Sequence, residues 1–196
     1  MGIAIKVEHE LALKRLKGME ERAANLRAWS VNFGQYMRKE IDRNFAVGGR
    51  PRRWPPLKAG SKSSWLGRRR SHWGKGGWRS GRLSGRGRAA LRGRLPLTDT
   101  GLMRRSIHAI PGSRSTKVVC ADWKGAIHQY GARTRPRVIR PRRKKALAWP
   151  YGPGPVRRVN HPGSVIPPRP FLVFLPENIA YARATLPRFV AEGRVK

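Results

Sequence analysis

The chain of 196 residues has room for one domain with a genuine core. Its 44 Lys and Arg outnumber 10 Asp and Glu, and the net charge of +34 makes an isolated monomer repel itself and cling to acidic surfaces or nucleic acid. A single cysteine, Cys120, excludes an intramolecular disulfide framework and a multi-cysteine metal site, as expected of a chain made in a reducing cytosol.

At the N-terminus Glu8 and Glu10 follow a short apolar stretch, unlike a signal peptide, and no window approaches the ~20 apolar residues of a membrane span. A soluble, non-secreted protein with no membrane partner is expected. The alternation of Ile3, Ile5 and Val7 predicts a short strand. Leu16, Met19, Ala23, Leu26, Ser30, Phe33 and Met37 then recur at spacings of three and four, extended by Ile41 and Phe45 and widened by Trp29 and Tyr36. That stripe predicts one helix from about Glu8 to Phe45, roughly 55 Å long, with bends at Gly18 and Gly34.

"VGGRPRRWPPL" closes the helix with paired glycines and blocks its resumption with prolines. Between Asp42 and Asp99 every charged residue is Lys or Arg, and the following segment is rich in Gly, Ser and Trp without either apolar period. Its composition predicts an extended Arg/Gly/Trp-rich arm at about 48–96, unable to order itself. In "PLTDTGLMRRSIHAI", Thr98 or Asp99 caps a helix of two to three turns with Leu102, Ser106 and Ile107 on its inner face. "TKVVCAD" and "GAIHQYG" read as strands, and "PRVIRP" and "GSVIPP" as short extended pieces around a second basic loop. "PRPFLVFLPENIAYARATLPRFVAEG" supplies an apolar run and then a helix in which Pro187 predicts a kink. The expected fold is therefore α+β in a single domain over 1–196. A long N-terminal helix and a C-terminal helix pack on a small antiparallel sheet, with long basic loop insertions.

Chemistry finds little footing. Asp122 is the sole carboxylate between Asp99 and Glu177, which excludes a paired-carboxylate hydrolase there and disfavours a carboxylate-bound metal. His9, His72, His108, His128 and His161 share no HxxxH or HxH spacing, and neither GxxxxGK[ST] nor GxGxxG occurs. No enzyme activity, catalytic residue, metal or cofactor is expected. Read as a strand, "AIHQYG" puts His128 and Tyr130 on one face and Gln129 on the other, so the three cannot converge on one substrate, and His128 and Gln129 suit backbone hydrogen bonding rather than proton transfer. Cys120 is expected to be a small buried apolar group.

"GGRPRRWPPL" (48–57), "LTDTGLMRRSI" (97–107), "AIHQYG" (126–131) and "IPPRPFLVF" (166–174), in that order, resemble the phage virion morphogenesis family. These are the tail-completion or neck proteins of tailed bacteriophages and Mu-like prophages. The resemblance spans about Phe45 to Phe174. It implies a non-enzymatic structural virion protein that forms a ring, expected to be hexameric, at the head–tail junction, with a tail-completion or tail-terminator role needed to join heads to tails. The positions it carries over are Trp54, Leu57, Thr100, Gly101, Leu102, Ser106, Ile107, His128, Gln129, Gly131, Arg169, Pro170, Phe171 and Leu172. Implied partners are further copies of the chain, acidic surfaces of neck, connector and tail-tube proteins, and genomic DNA in the channel. The implied location is the virion, with the host cytoplasm during assembly. Stiffened by Pro167, Pro168 and Pro170, "PPRPFL" should deliver Phe171 and Leu172 as buried anchors.

The segment from Lys58 to Arg94 departs from the family by being longer and more basic. Lining a channel, it would hold passing DNA phosphates, so it is expected to reach outwards or axially. There Trp54, Trp65, Trp73 and Trp78 would enter apolar pockets while Arg68, Arg69 and Arg70 make charge-assisted contacts with acidic neighbours. The alternative is a basic nucleic-acid-binding protein of ribosomal-protein type, with arginines on phosphates and Trp65, Trp73 and Trp78 stacked on bases.

Overall fold

A computed structural model describes residues 9–57, 78–79, 82–83, 94–142, 145–147 and 155–194, with backbone alone at 78–79 and 82–83. The strand expected at Ile3–Val7 and the arm residues Trp65, Arg68, Arg69, Arg70 and Trp73 lie outside them, and so does the side chain of Trp78. The helices are α1 (Glu10–Ala24), α2 (Arg27–Val47), α3 (Leu102–Arg105), α4 (Lys124–Tyr130) and α5 (Pro176–Glu192). The strands are β1 (Trp78–Arg79), β2 (Arg82–Leu83), β3 (Ile107–Pro111), β4 (Thr116–Cys120), β5 (Ala132–Thr134), β6 (Arg137–Ile139), β7 (Val159–His161) and β8 (Ser164–Ile166). The fold is α+β, with helices in the N- and C-terminal regions flanking small antiparallel sheets. Among the described residues the strands pair two by two, β1 with β2, β3 with β4, β5 with β8 and β6 with β7. Two compact units contain these elements, one within Met1–Asn44, Leu102–Asp122 and Leu172–Lys196, the other within Phe45–Gly101 and Trp123–Phe171.

In the first unit the expected single helix is two. α1 runs through Gly18 and α2 through Gly34, and the break falls instead at Asn25, whose backbone is extended at φ −132° and ψ 94°. The Asn25 side chain accepts the Arg27 N–H at 3.1 Å, and the Leu26 N–H leaves the helical ladder for the Ser113 carbonyl at 2.8 Å. Asparagine competes with the helix for backbone donors, which is why the apolar stripe continues across a break it does not announce. Beyond the break, Ser30, Phe33, Met37 and Ile41 are buried as the stripe predicts. Gly34 is needed for contact rather than bending: a Cβ there would lie 2.8 Å from the Ala109 Cβ, so its absence lets β3 approach α2.

An aromatic stack ties α2 to α5. Trp29 stacks on Phe33 at 4.8 Å, Tyr36 on Tyr181 at 3.8 Å, and the Trp29 indole N–H donates to Thr185 Oγ1 at 3.0 Å. Pro176 opens α5 at its first turn, where a missing N–H is harmless. The buried Asn178 side chain accepts the Leu175 N–H at 2.6 Å and donates to the Tyr36 hydroxyl at 3.2 Å. The helix then continues through Pro187 to Glu192 and ends at Gly193 in the left-handed region, φ 74°. The two to three turns expected around Leu102–Ile107 shrink to four residues. Met103, not Leu102, faces inwards, and Ile107 opens β3. The Ser106 hydroxyl donates to the Met103 carbonyl and accepts the Asp122 N–H, drawing the chain out of the helix into the β3–β4 ladder. Cys120 is half-buried rather than buried, its Sγ 3.4 Å from Ser106 Oγ.

In the second unit "VGGRPRRWPPL" behaves as read, with Gly48 and Gly49 at φ 76° and 115° closing α2. The strand expected over "AIHQYG" is the helix α4. The three residues between β4 and α4, Ala121, Asp122 and Trp123, include no Asn or Gly of the kind a tight hairpin requires. Further on, the β5–β8 and β6–β7 pairings share one register, from Ala132 opposite Ile166 to Ile139 opposite Val159. Residues 132–139 and 159–166 thus form one antiparallel ribbon with a single gap. The gap places Pro136 opposite Pro162, neither of which has an N–H to donate. Gly163, at φ 88°, completes it, because a Cβ there would strike the Thr134 carbonyl oxygen.

Asn178→Ala should strand the Leu175 N–H and remove a partner of the Tyr36 hydroxyl. An unfolding free energy lower by about 1–3 kcal/mol is expected in urea titration.

Candidate assembly site

Three of the four segments that carry the family resemblance meet in the second unit. The Trp54 ring, 5 % exposed, lies edge-on to Phe45 at 5.4 Å, and Phe45 packs on Phe171 at 5.6 Å. This cluster is the apolar part of a knot whose polar part is made by side chains bonding to main chain. The Trp54 indole N–H donates to the Pro170 carbonyl at 2.8 Å. Arg169 is buried, and its guanidinium donates to the Pro55 carbonyl at 2.9 Å and the Pro56 carbonyl at 3.2 Å. Gln129 Oε1 accepts the Phe171 N–H at 3.0 Å, and the His128 carbonyl accepts the Arg169 N–H at 2.6 Å.

Local sequence explains why these acceptors are available. "WPPL" and "PPRP" are proline-rich and extended, and extended prolines offer carbonyls without forming a ladder of their own. Two such strings lying near one another need donors from side chains, and Arg169 and Trp54 supply them. Burial lowers the Arg169 pKa from its ordinary value, since desolvation penalises the cation. The two proline carbonyls offset that penalty by hydrogen-bonding the charged form. Gly131 exits α4 at φ 78° and passes so close to the "IPP" segment that a Cβ would sit 2.8 Å from the Ile166 carbonyl oxygen. Any other residue would push "IHQ" away from "RPF".

A cleft of about 450 Å³ adjoins the knot, lined by Leu57, His128, Thr134, Arg137, His161, Arg169 and residues 164–167. Its polar lining consists of imidazoles, guanidiniums and hydroxyls, with no carboxylate among them. Among the described residues no three His, Cys, Asp or Glu side chains gather in a way that could hold a metal ion, and no helix is long and apolar enough to cross a membrane.

The fourth segment is divided between the units: Thr100 and Gly101, the latter at φ 72°, end the Phe45–Gly101 stretch, while Leu102, Ser106 and Ile107 belong to the first unit. Ile107 is buried, Ser106 holds the α3–β3 corner, and Leu102 is 56 % exposed. Phe171 is a buried anchor as expected, but Leu172 is only half-buried, because the chain after Phe171 heads towards α5 with its side chains partly in solvent. Tyr130 is 80 % exposed and takes no part in the knot. Phe45, Pro55 and Pro56 are members that the sequence reading left out of the site. Phe45 was legible only as the last position of a helical stripe, and the proline carbonyls carry no side-chain signal.

Trp54→Phe should keep the ring packing and lose one hydrogen bond, costing about 0.5–1.5 kcal/mol. Phe171→Ala should cost about 3–5 kcal/mol through lost transfer energy and a cavity. Denaturant titration of the two variants, beside a His128→Asn control expected to unfold like the parent protein, measures both.

Comparison of the chain with family models, with curated proteins and with solved structures found no match, so its functional reading rests on the residues themselves.

Proposed function

We propose that this protein is a structural subunit of a tailed-bacteriophage neck, forming a ring at the head–tail junction with a tail-completion or tail-terminator role. The observation that carries the reading is the convergence of "WPPL", "IHQYG" and "RPF" on one knot, although the segments lie more than a hundred residues apart at their extremes. The Trp54, Gln129 and Arg169 side chains are engaged with main chain. That use suits an architectural motif, whose residues hold three segments in place. Arg169, Trp54 and Gln129 each meet a backbone partner, and Phe171 fills the centre.

Charge supports an assembly role as well. A chain at +34 gains most from neighbours that are acidic, and a ring of about six copies, the number the resemblance implies, would multiply the self-repulsion unless adjoining proteins compensate it. Head-to-tail repetition of one contact closes such a ring without a second kind of subunit. The arm around Trp65, Arg68, Arg69, Arg70, Trp73 and Trp78 would supply contacts to acidic neck, connector or tail-tube proteins.

The test is removal and restoration. Lysates of a phage or induced prophage lacking this gene should contain separate heads and tails by electron microscopy, and purified protein added back should join them. Particles that assemble normally without it would overturn the reading. A variant lacking residues 61–88 is expected to remain folded by circular dichroism yet fail to restore joining.

A further inference from the structure

We propose that the ribbon formed by β5, β6, β7 and β8 is a binding surface for the phosphate backbone of a nucleic-acid duplex. The inference concerns the ribbon alone and does not depend on the neck reading. Because the two pairings share one register, the ribbon is a continuous two-stranded element of eight residues per strand, about 24 Å long at ~3.4 Å per residue. The shared register puts Arg133 and Arg137 at matching positions of the alternation, on one face about 14 Å apart, with Arg135 between them in the gap. All three are exposed, and Arg140, Arg157 and Arg158 are exposed at the distal end.

Three features select the occupant. First, carboxylates are scarce here: the sequence has no Asp or Glu between Asp122 and Glu177, and none of these arginines is in the ion pairs formed by Arg38, Arg43, Arg94 and Arg104. Secondly, residues 132–142 and 155–166 contain no Phe, Tyr or Trp. The ribbon therefore lacks the aromatic anchors that give a protein interface its affinity and the stacking platforms that hold single strands. Thirdly, a two-stranded ribbon is the β element that the duplex major groove, about 12 Å wide, admits. Guanidiniums on phosphate oxygens would give contacts that position without reading sequence. Such contacts are weak at physiological salt and let the duplex slide.

The experiment measures binding of a fluorescent 20-base-pair DNA duplex against salt concentration, for the parent protein and for variants folded by circular dichroism and melting. Each lost phosphate contact reduces the slope of log K against log salt by about 0.9. Arg133→Gln with Arg135→Gln and Arg137→Gln should reduce it by about 2 to 3, and lysines at the same positions should restore it. A control triple of equal charge change, Arg15→Gln with Arg183→Gln and Arg188→Gln, should leave the slope nearly unchanged. Should the ribbon triple fail to fold, Arg140→Gln with Arg157→Gln and Arg158→Gln gives the same reading at the distal end. Equal loss in ribbon and control variants would mean that general charge alone binds DNA and would overturn the proposal. So would a ribbon variant that loses binding to poly-glutamate while its duplex binding is intact, since the surface would then face acidic protein.

Discussion

Among the described residues, Arg22, Arg38 and Arg169 are held by main-chain carbonyls of distant segments, in a chain where carboxylates are scarce. Ten Asp and Glu face 44 Lys and Arg, so a guanidinium that must leave water seldom finds an acidic partner. In the first unit Arg22 on α1 donates to the Val190 and Ala191 carbonyls at the end of α5, and Arg38 on α2 donates to the Arg104 and Ile107 carbonyls around α3. In the second unit Arg169 does the same with Pro55 and Pro56. A hydrogen bond from a charged donor contributes about 1.5–3 kcal/mol, and each of these also satisfies a carbonyl that its own secondary structure leaves open. Where a carboxylate is present it is used closely: Asp42 takes Arg104 at 2.6 Å and Arg38 at 3.3 Å.

The same scarcity explains the distribution of apolar mass. A strongly cationic chain has fewer positions for a broad aliphatic core, and each unit instead relies on a compact aromatic group. Trp29, Phe33, Tyr36 and Tyr181 stack in the first, and Phe45, Trp54 and Phe171 interlock in the second. Aromatic rings bury large areas per residue and, through the indole and phenol groups, reach hydrogen-bond partners at the rim. Met37, Ile41, Met103, Ile107, Leu175 and Phe189 are buried beside these groups, while other apolar side chains remain uncovered. Leu11, Leu13 and Leu16 on α1 are 76 %, 55 % and 59 % exposed, and α1 buries no residue at all.

Arginines that find no carbonyl are exported to the surface, and the β5–β8 ribbon is where the described residues align them. The proline pair at its centre breaks the ladder without shifting register, so Arg133 and Arg137 keep a common side. An architectural knot beside a cationic ribbon is a combination suited to a subunit that is fixed among proteins while touching a polyanion. That is how the proposed neck role and the proposed duplex-binding surface fit one chain.

Much of the local structure was legible in the residues. The stripe through Phe33, Met37, Ile41 and Phe45, the glycine stop at 48–49, the strand "TKVVC" and the C-terminal helix each rest on periodicity or backbone chemistry that acts within a few residues. The quoted motifs also placed Trp54, Gln129, Gly131, Arg169 and Phe171 among the residues of interest. Tertiary structure decided the rest. Seven residues of "KGAIHQY" hold too few apolar positions to tell a period of two from one of 3.6, so packing made them a helix. Asn25 breaks a helix that its neighbours favour because Ser113, far along the chain, accepts the Leu26 N–H. Arg169 reads locally as one more surface cation. It is buried because Pro55 and Pro56, more than a hundred residues earlier, present carbonyls that only the folded chain brings to it.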